Sequence, residues 1–460
     1  MEMLSHDLLV AIGMGLLGAV IFSAVGLVSG TDETTTMAPA TLLVVLLGVP
    51  PVGIFTFWLA AAVSKHMTHA IPTALLGIPG DTMAVPLMQQ ATDLRNLGVP
   101  HIALRKMVAS ALVAALIAVP LSVAFALLIA PFGQKITSAA PWLFLIAALL
   151  IARFSAGRWA SVFLLIPFVA LILALQAFTA GFGTKLSISY FLGIAVGPLV
   201  ADLFSVLSPA ERARMARGGP RRVSIAPEVK GWKGYFPNPL RVLDGTQLRA
   251  VAGAAVVSSA TFVFSPVAMT VVLGEAVAAR IRHPYHRLTT VLGVRNGVTE
   301  STYIAEAMIP LVALGLPLSP VAAGPAAPLF NAPPRFSVDA AGEHIVNLHT
   351  LMSPWQFLVY GLLAVVLAAL VAYPLSMNYA RSAAVLVSRH ISHEAIIATF
   401  VGLVLVIGLW EGALLGVLVV IVVGLVGGLL YRAFGFNSGV QFMGYYAAVL
   451  SVPALLKLFA

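Results

Sequence analysis

Two short stretches hold the residues best suited to chemistry. They are Ile71-Pro-Thr-Ala-Leu-Leu-Gly-Ile-Pro-Gly-Asp-Thr82 and Ile309-Pro-Leu-Val-Ala-Leu-Gly-Leu-Pro-Leu-Ser319, and both follow Ile-Pro-x-x-x-Leu-Gly-(Ile/Leu)-Pro, with Pro79 and Pro317 238 residues apart. Proline withholds a backbone donor and turns the residue before it away from helix, and glycine takes a turn at little steric cost. Ile78-Pro79-Gly80 is therefore expected to end one half-helix, bare its carbonyls and start another near Asp81 and Thr82. Amides at such a break attract an anionic group, and bared carbonyls suit a sodium ion. The hydroxyls of Thr82 and Ser319 add neutral partners, so a carboxylate could be held without a buried arginine, whose burial is costly. Gly80, Asp81, Thr82, Pro317 and Ser319 are the candidate substrate-binding residues.

A second set suits cation coordination. Asp32 and Glu33 sit in the acceptor-rich knot Ser29-Gly-Thr-Asp-Glu-Thr-Thr-Thr36, and Asn296 and Glu300 precede the second broken stretch. These four are the candidate coupling-ion residues. Glu306 is expected either buried or facing water at the mouth of the second hairpin, and Asp202 reads as an end-of-helix residue or a proton site. His390, His393 and Glu394 match neither zinc-helix order and read as an interfacial cluster. No metal or organic cofactor is expected beyond a candidate bound sodium ion, and no phosphate-cradling loop is present.

These residues need a membrane scaffold. Sixty per cent of the 460 residues are hydrophobic and nine per cent charged, which excludes an ordinary soluble domain. Apolar runs repeatedly exceed the roughly 18 residues that cross hydrocarbon, and they are continuous rather than alternating, which excludes a barrel. The net charge of +9 is carried by loops between runs, so it reads as topology and contact with anionic lipid rather than as a nucleic-acid surface. There is no cysteine, hence no disulfide or thiolate chemistry. The first apolar run lacks a basic segment before it and is expected to be a retained helix.

In order, apolar runs cover about 8–29, 40–63 (with Pro50-Pro51 inside), 107–130, 141–152, 159–180 and 188–207, with the broken hairpin at 70–91. Residues 209–249 hold nine cations against three acids and are expected to be a cytoplasmic linker. The second half runs through 250–274 (broken at Ser265-Pro266), a polar passage from His283 to Glu300, the hairpin 303–331, and runs at 355–377, 393–410, 412–431 and 440–458. The expectation is an all-α polytopic membrane protein of about 10–12 transmembrane helices, in two structural repeats, 1–208 and 250–460, each with a Gly/Pro-broken re-entrant hairpin. Phe182-Gly183 and Phe434-Gly435, each before a last run, fit that repeat. Matching interrupted segments in two halves point to a transport site at the membrane midplane, and an odd number of spans between the hairpins makes the halves inverted repeats.

At Ile78-Pro79-Gly80, Leu314-Gly315-Leu316-Pro317 and Ser319, with Leu94 through Lys106 after the first hairpin, the chain resembles the large membrane subunit of the tripartite tricarboxylate transporter family (TctA-like permeases). The resemblance covers about 10–455, with Asp81-Thr82 standing where the family has Thr-Pro and Leu318 where it has glycine. It implies a cation-coupled secondary transporter for small carboxylates in a bacterial inner membrane, paired with a small membrane subunit and fed by a periplasmic binding protein. The alternative is a non-transport membrane protein, an intramembrane enzyme or assembly subunit with a degenerate site.

Overall fold

Proline and glycine place most of the helix boundaries. The computed structural model describes residues 2–31, 33–133, 139–155, 157–184, 188–194, 234–260, 266–338, 345–390 and 393–456, with isolated positions 186, 197 and 209. Helix α1 spans Glu2–Gly26 and α2 Glu33–Leu46; the Pro50-Pro51 pair separates α2 from α3, Pro51–Thr68. A π-turn at Pro72–Leu76 and a 3-10 segment at Thr82–Leu87 follow, then α4, Met88–Asn96, and α5, Pro100–Ile129. Helices α6, Ala140–Phe154, and α7, Arg158–Gly181, complete the described part of the first half. The second half begins with α8, Gly245–Ser259, inside the expected linker, because Asp244 and Gln247 form a capping box there. Then come α9, Pro266–Ala278, and α10, Pro284–Leu314. The four-residue α11, Pro320–Ala323, precedes α12, Pro354–Asn378, α13, Ala380–His390, α14, His393–Phe434, and α15, Ser438–Tyr446. Pro51, Pro100, Pro284 and Pro354 sit in first turns, where the missing N–H has no helical partner to lose. Among the described residues the only strands are the two-residue pair Ser337–Val338 and Ile345–Val346.

Helices α3 and α10 form the centre. Every residue from Val52 to Thr68 and from Thr289 to Leu314 is buried. Helix α1 lies on α3 and α8 lies on α10, while α12 crosses to α3 and α5 crosses to α10. Helix α2 also reaches the second broken segment, as α9 reaches the first. Helices α6, α7 and α15 pack together to one side, and α15 touches α11.

A helix walled in by protein need not be apolar, which is why α10 holds Arg295, Asn296, Glu300 and Glu306 in its buried stretch. The expected polar passage is thus the first half of a 31-residue helix, and the second break starts at Gly315 rather than near 303. Against this core, large side chains such as Phe163, Ile166 and Leu414 point outward, the contact surface a bilayer requires.

Five described stretches are long and apolar enough to cross a membrane: His6–Gly26, Pro100–Phe132, Arg158–Gly181, Pro354–Asn378 and Val404–Phe434. The last is not one straight helix. The backbone leaves helical geometry at Gly412 and Ala413, and a Cβ on Gly416 would strike the Gly408 carbonyl, although residues eight apart lie about 12 Å apart along a straight helix. The chain folds back there, as the separate runs 393–410 and 412–431 imply. Glu411, at that turn, accepts the Ile188 and Ser189 amides at 2.7 and 2.6 Å and so holds the start of a helix from the first half.

Candidate functional site

The first break closes on residues that already have partners. Gly77 takes a left-handed φ of 68° and its N–H returns to the Pro72 carbonyl. Arg95 donates to the Leu76 carbonyl at 2.8 Å, Ser29 to the Pro79 carbonyl at 2.5 Å and the Gly30 amide to the Gly80 carbonyl at 2.7 Å. Those bared carbonyls are therefore satisfied by the chain itself. Gly80 lies directly on His69, and a Cβ there would stand 2.6 Å from the His69 Cβ and 2.7 Å from its carbonyl oxygen. Asp81 caps the 3-10 segment, its Oδ1 accepting the Ala84 amide at 3.0 Å.

The second break has the same plan. Gly315 takes φ of 66° and donates to the Pro310 carbonyl at 2.9 Å. Ser319, 238 residues after Asp81, caps α11 by accepting the Ala322 amide at 3.1 Å, and donates to the Glu306 carbonyl at 2.6 Å. Pro317 is buried beside it. The Gly315 carbonyl is taken by the Asn347 amide group at 2.9 Å. Gly183 and Gly435 likewise share φ of 72°.

Between the breaks lies a buried ionic network. Lys65 Nζ stands 2.6 Å from Glu33 Oε1 and 3.0 Å from Asp81 Oδ2. His69 Nδ1 lies 2.9 Å from the same Asp81 oxygen, and its Nε2 lies 3.4 Å from Asn296 Oδ1. Asn296 in turn donates to the Met107 carbonyl at 2.8 Å, which turns its oxygen toward His69. His66 Nδ1 meets Glu300 Oε2 at 2.9 Å, and its Nε2 lies 3.7 Å from Glu33 Oε1. Each of these side chains is essentially sealed from solvent. Three carboxylates thus face one ammonium and two imidazoles, a set that balances when both rings carry two protons. Charges in such a place persist only when paired and hydrogen-bonded.

The structure thus gathers Glu33, Asp81, Asn296 and Glu300 in one cluster and places Pro317 and Ser319 at the other break. Asp32 and Asp202 lie outside the described residues, as does the side chain of Thr82. Among the described residues no group of three His, Asp or Glu side chains is arranged to hold a metal ion; the acid oxygens here meet the Lys65 ammonium and the rings of His66 and His69.

Lys65, His66 and His69 are the residues that sequence reading passed over. The signal was present: a Lys-His pair and a second His one turn on, near the end of an apolar run, where long cationic chains have no interface to reach unless acids meet them. An aromatic bridge joins this network to the second hairpin. Tyr303 sets its ring edge-on to His66 with centroids 4.6 Å apart and stacks on Trp58 at 6.0 Å, and Trp58 Nε1 donates to the Pro325 carbonyl at 3.1 Å. Behind the first hairpin, Arg295 donates to the Pro86 carbonyl at 2.6 Å and to Gln90 at 2.8 Å, and pairs with Glu275.

The family model of the tripartite tricarboxylate transporter TctA family matches residues 12–440 of the chain. No curated protein and no solved structure matches it.

Proposed function

The chain belongs to the tripartite tricarboxylate transporter TctA family, and on that premise we propose that it is the gradient-driven carrier for small carboxylates, working in a bacterial inner membrane. The substrate lies between the two breaks, at Gly80, Asp81 and Thr82 on one side and Pro317 and Ser319 on the other. Sodium or protons drive it. A small membrane subunit and a periplasmic binding protein complete the tripartite system. The two halves act as repeats, which accords with Gly77 and Gly315 sharing a left-handed turn at equivalent positions.

The observation that carries this reading is the buried network. Lys65, His66 and His69 give a multivalent anion one ammonium and two imidazole rings as partners inside the protein, and Glu33, Asp81 and Glu300 occupy them in its absence. An arriving carboxylate exchanges with an internal one, so no cation is left bare in the low-dielectric interior at any stage. Because Asp81 belongs to the first hairpin and Glu300 to α10, that exchange changes how the hairpin is held against the second half. Alternating access follows when the two arrangements open to opposite sides.

The test is uptake into proteoliposomes of labelled mono-, di- and tricarboxylates, under a sodium or a proton gradient, with the two partner proteins added in turn. Tricarboxylate uptake that follows a gradient and falls in Ser319→Ala is expected. Absence of any gradient-driven uptake from folded protein with both partners present would sink the proposal.

A further inference from the structure

Glu306 differs from every other acid in the core. It is fully buried on α10, its Oε2 accepts the Val321 amide at 3.2 Å, and its Oε1 has no hydrogen-bond partner among the described residues. Its own carbonyl takes the Ser319 hydroxyl at 2.6 Å. The carboxyl therefore lies against the backbone of the second hairpin, at the turn that carries the candidate substrate residues.

Among the described residues, the surroundings supply no counter-charge. Residues 307–331 contain no acid, lysine, arginine or histidine, and neither do α12 and α15. The nearest acid on its own helix, Glu300, is about 9 Å away along the axis and is held by His66. On α3, Lys65 is held by Glu33 of α2 and by Asp81 of the first hairpin, which also holds His69. On α5, Lys106 is bound to Val242 and Gln247, and Arg105 and His101 lie in the same first two turns. On α4, Arg95 is held at Leu76, while Asp93 lies two residues before it on that helix. Arg295 pairs with Glu275 of α9, Arg249 of α8 donates to the Gly245 carbonyl, and His349 bonds the Val312 carbonyl. A carboxylate at Glu306 would thus be an unpaired buried charge, the most costly state for a side chain inside a membrane protein.

We propose that Glu306 is a proton-carrying acid of the transport cycle, neutral while the second hairpin is seated on it and charged once the hairpin lifts. This rests on the carrier reading above and specifies the coupling ion as a proton. Water on the entry side supplies the proton, which forms an O–H bond at Oε1 and removes the charge, and the hairpin closes over the neutral acid. On the exit side the O–H bond breaks to water, leaving a carboxylate that the open, hydrated pocket can solvate. The amide of Val321 stays within reach of Oε2 in the closed state, so proton occupancy and hairpin position are linked through one hydrogen bond.

Two measurements on the full chain test this. Infrared difference spectra of parent and Glu306→Gln at neutral pH should differ by the carbonyl-stretch band of a protonated carboxylic acid. That band should persist in Glu306→Asp and in Glu275→Gln, whose acid is exposed and paired. In proteoliposomes the accumulation ratio should rise about tenfold per pH unit for each proton carried, and Glu306→Gln should lower that slope by one proton while exchange of labelled for unlabelled carboxylate persists. A parent lacking the acid band, a slope unchanged in Glu306→Gln, or accumulation that follows sodium alone overturns the proposal. A parent that exchanges no carboxylate overturns the carrier reading and the coupling role with it, while the infrared band still decides whether Glu306 is neutral.

Discussion

Replacing Lys65 by methionine keeps most of the side-chain volume and removes the one ammonium that Glu33 and Asp81 share. Asp81 keeps His69 at 2.9 Å and the Ala84 amide at 3.0 Å. Among the described cations, Glu33 then keeps the more distant His66 nitrogen at 3.7 Å. The change therefore strands a largely uncompensated buried carboxylate, for which a loss of about 3–5 kcal/mol is expected. An unfolding entropy of about 2.1 cal/mol/K per residue gives roughly 1 kcal/mol per degree over the whole chain, so the apparent Tm should fall by about 3–5 °C. Thermal unfolding of detergent-purified protein, followed by tryptophan fluorescence, measures it. The paired change Lys65→Met with Glu33→Gln removes the stranded charge together with its partner, and should unfold closer to the parent than Lys65→Met alone, with a coupling of about 0.5–3 kcal/mol. An unchanged Tm in Lys65→Met, or a double variant no better than the sum of the two single changes, would refute the reasoning that these charges are buried as a unit.

Three further substitutions address the breaks themselves. Gly80→Ala puts a methyl group against the backbone of His69; a loss of about 1–3 kcal/mol from overpacking should be visible by thermal unfolding, together with lost uptake. Gly13→Ala, whose new Cβ meets nothing within 4 Å, should leave both unchanged. Gly315→Ala and Gly77→Ala must hold φ of 66° and 68°, at about 1–2 kcal/mol each by the same assay, and the Gly77 change also displaces the Arg95 guanidinium.

The parts of this architecture that depend on local chain chemistry could be read from the sequence. Pro50-Pro51 separates α2 from α3, Gly77 and Gly315 turn where the repeated motif places them, and the apolar runs 393–410 and 412–431 are two helices folded at Gly412. Of the candidate acids, Glu33, Asp81 and Glu300 do converge, with Asn296. What stayed hidden depends on neighbours remote in sequence. The first half of α10 reads as a polar loop because hydropathy assumes a helix facing lipid, whereas α10 faces protein all round. The bared carbonyls of Pro79 and Gly80 suggested an ion, but Ser29 and Gly30, fifty residues earlier, bond to them. Lys65, His66 and His69 escaped notice because nothing local shows that acids from α2, the first hairpin and α10 will meet them.

The most direct test of the account is gradient-driven uptake of a labelled tricarboxylate by proteoliposomes of the parent and of Asp81→Asn, compared at equal folded protein. Asp81 is the acid that both Lys65 and His69 hold and that the first hairpin contributes to the network. If the network is the transport core, the parent accumulates substrate and Asp81→Asn loses most of that uptake while remaining folded. Equal uptake by the two proteins would contradict it and place the substrate elsewhere.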